Sequence, residues 1–316
     1  MALHSLASYL KYDLRRASCD HPAYVSNVAH GGLVQGFLNS HCWLDCFTIP
    51  RMLKKIEIQL NIFTLLLCLL SSSVSISALA ATTNIAAASD LKFALEELAL
   101  SFEKQSGQTL ALTFGSSGTF ATQIRHGAPF QLFLSADEDY VLKLHADGYT
   151  LDQGILYAVG QIALLAPASS PLILDSELKG LAALMQQGKL QRFAIANPKH
   201  APYGQRAQEA LQHAGLWQDI QPKLIFGENV SQAAQFAVSG SAEGGIVALS
   251  LAKSLQMAKL GRYVVIPAEW HAPLKQRMVL LKGADATAQA FYAYLQQPAA
   301  RAALRRYGFT LPGESE

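Results

Sequence analysis

The sequence predicts an α/β protein built as two lobes. Three observations carry that expectation. Beyond residue 82, short β-type apolar runs alternate with stretches whose apolar residues recur at helical spacing, the order expected of strands connected by helices. The strand-to-helix junctions end in small or hydroxyl residues, as at Ala88-Ser89-Asp90 and Gly115-Ser116-Ser117-Gly118. Two short crossings, at 159–163 and 266–268, mark where the chain passes between lobes. They give a first lobe of residues 81–161 plus 267–316 and an inserted second lobe of 162–266.

The elements follow in order. "TNIAAAS" is a short strand of small residues. "DLKFALEELALSFEKQSG" is a helix, with Leu91, Ala94, Leu95, Leu98 and Phe102 at helical spacing and Gly107 as its stop. "TLALTF" is a strand, and "GTFATQIRHG" a helix with Phe120 and Ile124 on one face. "FQLFLSA" is a strand, and "DEDYVLKLHADG" a helix whose first turn holds three acids, where the helix dipole favours them. "ILYAVGQIALLAP" reads as a strand passing through a break at Gly160. "LKGLAALMQQG" is helical, "RFAIANP" a strand, "YGQRAQEALQHAGLW" helical, "KLIFGE" a strand and "NVSQAAQFAVSG" helical. "GGIVALS" is a buried strand, "RYVVIPAEW" and "QRMVLLKG" are further strands, and the segment from Ala284 to Gly308 closes the chain as a helical pair. No internal repeat or low-complexity tract interrupts this order.

Upstream, residues 52–80 read as an export signal. Lys54 and Lys55 precede an apolar core from Ile62 to Leu70, and Ala78-Leu79-Ala80 is an A-x-A cleavage pattern. The core is far shorter than the roughly 20 apolar residues that span a bilayer. A signal belongs at the N-terminus, so residues 1–51 are expected to be a start-site artefact or an untranslated extension, with translation from Met52. All four cysteines, Cys19, Cys42, Cys46 and Cys68, precede the expected cleavage after Ala80, which leaves no disulfide framework or cysteine metal site. Of 25 Lys+Arg and 23 Asp+Glu, 19 of each fall after residue 80. That balance offers no basic field for nucleic acid. The expectation is a soluble exported protein.

Four junctions could hold an anion: Ser89-Asp90, Ser116-Ser117, the segment before Tyr203, and Val230. A helix start leaves backbone N–H groups unpaired and carries about half a positive charge, so several starts facing one cleft bind an anion without Lys or Arg. Each has a plain alternative. Ser89 and Ser117 are ordinary capping residues, Asp90 ordinary dipole compensation, Tyr203 a half-buried tyrosine, and Val230 offers only an N–H. Arg125 and His126 lie inside their helix, on its solvated face. Enzyme motifs are absent. "GSSG" is no nucleophile elbow, His126, His145, His200, His213 and His271 lack ligand spacing, and there is no P-loop or G-x-G-x-x-G. A serine–histidine pair assembled in three dimensions stays open.

The segments "AAASDLKFALEELALSFEKQSG", "FGSSGTFATQIRHGAPFQLFLSADED", "ANPKHAPYGQRAQEAL", "ENVSQA" and "GGIVALS" resemble the periplasmic molybdate-binding proteins of molybdate ABC transporters, over essentially the whole chain after the signal. The resemblance implies a type II periplasmic-binding-protein fold: two α/β lobes, a two-strand hinge and a ligand cleft between them. It implies molybdate or tungstate as ligand, no cofactor, no catalysis, and delivery to an ABC permease at the inner membrane. The implied oxyanion-binding residues are Ser89, Asp90 through its N–H, Ser117, Tyr203 and Val230, with Ser116 as a possible addition; molybdate is met through its oxygens. One branch of the family has a tyrosine where this chain has Ala248, so Tyr203 supplies the phenol here. Asp90 replaces a neutral residue, and its carboxylate is expected to turn from the dianion toward the helix end. The alternatives are a sulfate or phosphate receptor, or a secreted serine hydrolase.

Overall fold

The computed structural model describes residues 82–313 together with Gln59, Asn61, Ile62 and Thr64. The chain divides into the units Met1–Ala78 and Leu79–Glu316. Apart from those four residues, the expected extension (1–51) and signal (52–80) lie outside the described residues. Among the described residues no helix is long and apolar enough to cross a membrane.

The second unit holds two five-stranded sheets. The first contains β1 (Thr83–Ala88), β2 (Leu110–Gly115), β3 (Leu132–Ser135), β4 (Ile155–Gly160) and β10 (Leu274–Leu280), in the order β2-β1-β3-β10-β4. The second contains β5 (Ile162–Pro167), β6 (Phe193–Ala196), β7 (Leu224–Gly227), β8 (Gly245–Ala248) and β9 (Gly261–Val265), in the order β7-β6-β8-β5-β9. The plan is the same twice. Three strands run parallel (β2-β1-β3 and β7-β6-β8), and an antiparallel strand, β10 or β5, joins the edge strand to them. The predicted strand through Gly160 is in fact two, β4 and β5, hinged at Gln161 and divided between the sheets.

The helices are α1 (Lys92–Ser106), α2 (Ser117–Arg125), α3 (Glu138–Ala146), α4 (Lys179–Gln186), α5 (Pro202–His213), α6 (Trp217–Ile220), α7 (Val230–Val238), α8 (Leu249–Ala252), α9 (Leu255–Ala258), α10 (Ala286–Tyr294) and α11 (Pro298–Arg306). Their ends are written locally. Gly107, at φ 70°, returns its N–H to Glu103 and stops α1. Asn229 caps α7 by accepting from the Gln232 N–H, and Pro202 sits in the first turn of α5.

Two expectations are corrected. "RYVVIPAEW" stops being strand at Val265, and Ala268–Trp270 is a 3₁₀ turn after Pro267, which has no N–H to give a ladder. "GGIVALS" is strand only to Ala248 and then turns into α8.

The first sheet is covered on both faces, as parallel strands require. Leu91, Leu95, Leu98 and Phe102 pack with Phe291 and Leu304 on one side; Phe120, Ile124, Val141 and Leu144 pack on Phe133 on the other. The second lobe has its own core, built on Leu164, Leu165, Phe193, Ile195 and Val247. Ala88, Ala136 and Leu274 of the first lobe join that second core, and the C-terminal ends of the parallel strands are left to present their helix starts.

Candidate functional site

Four helix starts meet in one cavity. Its lining comprises Ala88, Ser89, Asp90, Gly115, Ser116, Ser117 and Ala136 from the first lobe, and Ala201, Pro202, Tyr203 and Val230 from the second. All six residues singled out in the sequence therefore stand together. The empty space is about 180 Å³, part of it open to solvent, well below the roughly 300–1,000 Å³ of a drug-sized site. No Lys, Arg or His lines it. Polarity comes from hydroxyls, backbone groups and one carboxylate.

The two serines of "GSSG" have separate duties. The cap is Ser116: its Oγ accepts the Thr119 N–H at 3.3 Å. Ser117 lies beyond the cap, fully buried, and its Oγ accepts the Ala136 N–H from the end of β3 at 2.9 Å. A serine hydroxyl has one hydrogen besides its acceptor lone pairs, so Ser117 keeps an O–H to donate. Ser89 is similar. It does not cap its helix; its Oγ accepts the Ser231 N–H at 3.2 Å, while its carbonyl accepts the Ser231 hydroxyl at 2.9 Å. These last contacts join the lobes directly.

Asp90 departs from the simple expectation. Its side chain is buried among polar groups. Oδ2 accepts the Gln276 Nε2–H at 2.7 Å and the Tyr203 hydroxyl at 3.1 Å, whereas Oδ1 is buried without a hydrogen bond. The N–H groups of Asp90 and Leu91, at the helix start, do favour its charged form, but burial outweighs them and pushes the carboxyl up to about 6. Gln276 Nε2 also lies 3.0 Å from the Tyr203 oxygen, and Gln276 Oε1 accepts the Tyr157 hydroxyl at 2.7 Å. Burial, then the Asp90 charge, hold both phenols well above their ordinary range, so both stay protonated. The Tyr203 hydroxyl, expected as a free donor to a ligand, is thus occupied by Asp90. Gln276 and Tyr157 went unnoticed in the sequence. The available signal was a glutamine at an inward position of a buried strand.

A second cross-lobe contact flanks the cavity. Ser116 Oγ lies 2.9 Å from His200 Nδ1, and the Gly118 N–H donates to the His200 carbonyl at 3.0 Å. His200 Nε2 is 3.6 Å from Glu228, whose side chain is 78% exposed. Arg206 on α5 reaches Asp137, the cap of α3, at 3.3 Å. The Ser116–His200 pair has the ingredients of a nucleophile and base. Its geometry argues otherwise: Ser116 Oγ is held by Thr119 as well as by His200, and the carboxylate beyond the imidazole lies in solvent. Among the described residues no group of three or more His, Cys, Asp or Glu could hold a metal ion.

Comparison with known proteins places these features. The model of the bacterial extracellular solute-binding protein family matches residues 83–310. The molybdate-binding protein ModA of Rhodobacter capsulatus is 37% identical over 217 residues, 68% of this chain and 82% of that one. ModA of Escherichia coli K12 is 34% identical over 232 residues, covering 71% of this chain and 87% of its own. The solved periplasmic molybdate-binding protein of Azotobacter vinelandii superposes with a TM-score of 0.66 at 31% identity, over 73% of this chain and 99% of that one.

Proposed function

The chain belongs to the bacterial extracellular solute-binding proteins, among the ModA-like molybdate-binding proteins, and from that premise we propose that it captures molybdate, and tungstate alike, for an ABC permease at the inner membrane. The reading further takes the protein to be an exported monomer that performs no catalysis and needs no cofactor or nucleic acid. The observation that carries the ligand class is the cavity itself: four helix starts, hydroxyls and backbone N–H groups, and no basic side chain. Molybdate is fully deprotonated near neutral pH and only accepts hydrogen bonds. A cage of donors satisfies it, while monohydrogen phosphate would set its own proton against them.

In this reading Ser89 and Ser117 donate their hydroxyls, Asp90 and Val230 their N–H groups, and Tyr203 its phenol. Ser116 is the weaker member, because its oxygen already serves Thr119 and His200. No residue ligates the molybdenum; every contact is to an oxygen. Calorimetric titration with molybdate, tungstate, sulfate and phosphate tests the assignment. Tight binding of the first two alone is expected. Sulfate or phosphate bound more tightly would reassign the ligand, and ester turnover without oxyanion binding would replace the reading with the hydrolase.

A further inference from the structure

The cluster around Asp90 does not add up as an anion site in its present hydrogen-bond arrangement. Tyr203 has one O–H hydrogen, and Asp90 Oδ2 accepts it. Gln276 directs one Nε2 hydrogen at the same oxygen and lies within reach of the Tyr203 oxygen with the other, while its Oε1 is filled by Tyr157. Asp90 Oδ1 is buried with no side-chain donor on it, only the N–H groups of the helix start nearby. With Asp90 ionised, the Tyr203 hydrogen is committed to the carboxylate, and a buried negative charge lies at the cavity that is to take a dianion.

One added proton removes both defects. A protonated carboxyl donates its O–H to the Tyr203 oxygen, and Tyr203 turns its own hydrogen to the ligand. The charge that would repel the ligand disappears in the same step. Resting on the oxyanion-binding reading above, we propose that Asp90 takes up one proton from solvent as the oxyanion binds, and that this proton releases the Tyr203 hydroxyl to the ligand.

The surroundings favour this. The groups facing Asp90 are Tyr203 from α5, Gln276 from β10, Tyr157 from β4 and, on its carbonyl, Ser250 from α8 at 2.7 Å. From the start of α7, Ser231 bonds the neighbouring Ser89. No cation is among the groups that act on the carboxyl. The charges nearby on those elements have partners: Arg206 pairs with Asp137 and Glu209, and Lys275 and Arg277 pair with Glu138. Lys92, two residues on in the chain, lies over the Phe93 ring. Burial already raises the carboxyl to about 6, and a dianion in the same cavity raises it further. Near neutral pH the carboxyl is therefore mostly ionised when the site is empty and protonated when it is filled.

The test is molybdate calorimetry at about pH 7.5 in two buffers of different ionisation enthalpy. The wild type is expected to take up close to one proton per molybdate. Its Kd should rise about tenfold per pH unit between about pH 6.5 and 8, the slope of a single linked proton. Asp90→Asn, whose amide donates without titrating, should take up none, lose the slope and bind more tightly than wild type at the alkaline end. Tight wild-type binding with no proton uptake overturns the proposal and leaves the function standing. Uptake that persists in Asp90→Asn overturns it too. If molybdate does not bind at any pH, the functional reading fails and the proposal with it. Should Asp90→Asn not fold, the wild-type uptake decides alone.

Discussion

Ser117 accepts a backbone N–H from one side and keeps a single hydrogen for the other. Removing it takes one donor from a buried dianion, and a hydrogen bond to a charged group is worth about 1.5–3 kcal/mol. Ser117→Ala should therefore weaken molybdate binding about tenfold to a hundredfold, read by titration, with the circular dichroism of the fold retained. An unchanged Kd would reduce Ser117 to an anchor for β3. Asp90 shows a different balance at the same scale. Its folded carboxyl titrates at about 6 against an ordinary 3.8. Between those values the folded chain keeps a proton that the unfolded chain has released, so stability falls as pH rises through the window. Above about pH 6 the full cost is present, roughly 3 kcal/mol at 1.36 kcal/mol per unit. Loss of dipole compensation, the effect expected from the sequence, runs the other way and is worth only about 0.3–1 kcal/mol. Burial wins. The unliganded Asp90→Asn protein should melt higher than wild type at neutral pH and show no such advantage near pH 4. An equal difference at both pH values would contradict the buried-charge account.

At the scale of the element, the glycines of "GSSG" answer to packing, not only to turn geometry. A Cβ on Gly118 would sit 2.6 Å from the His200 carbonyl oxygen and 3.0 Å from the Tyr140 hydroxyl. The start of α2 can therefore meet the opposite lobe only because it carries no side chain there. Gly118→Ala forces backbone apart across the cleft. His200→Ala leaves the carbonyl in place and removes only the imidazole's contacts, of which the Ser116 hydrogen bond is worth about 0.5–1.5 kcal/mol. The expected order of effects on molybdate affinity is thus severalfold for His200→Ala and larger for Gly118→Ala. Melting temperatures of the unliganded proteins should stay near wild type, because neither change touches the core of a lobe. Equal losses in both variants would mean that the side chain, not the close approach, governs closure.

Across the whole molecule, what could be read from the sequence was local. Each helix start needs only its own few residues to be recognised, so Ser89, Ser117, Tyr203 and Val230 were visible as junctions, whereas their convergence on one cleft was implied only by the family resemblance. The partners were not visible. Gln276 meets Asp90 from 186 positions away, and Ser231 meets Ser89 from 142. A pairing of that span has no period or spacing to betray it. The shared sheet plan of the two lobes was hidden for the same reason: strand order is a property of pairing, and the segments share no repeat. The crossing at Gly160 joins these scales. It ends β4, where the chain leaves the first sheet for β5, and a Cβ there would lie 2.2 Å from the Tyr203 hydroxyl and 2.8 Å from Gln276 Nε2. Tyr203 belongs to the second lobe and Gln276 to the first, so an added methyl enters the space where the two meet. Gly160→Ala should therefore displace Tyr203 from Asp90 and Gln276: the variant should bind molybdate more weakly than wild type, read by titration. A variant that binds as tightly as wild type would mean that the Asp90–Tyr203–Gln276 cluster does not set affinity, and that the ligand is held without it.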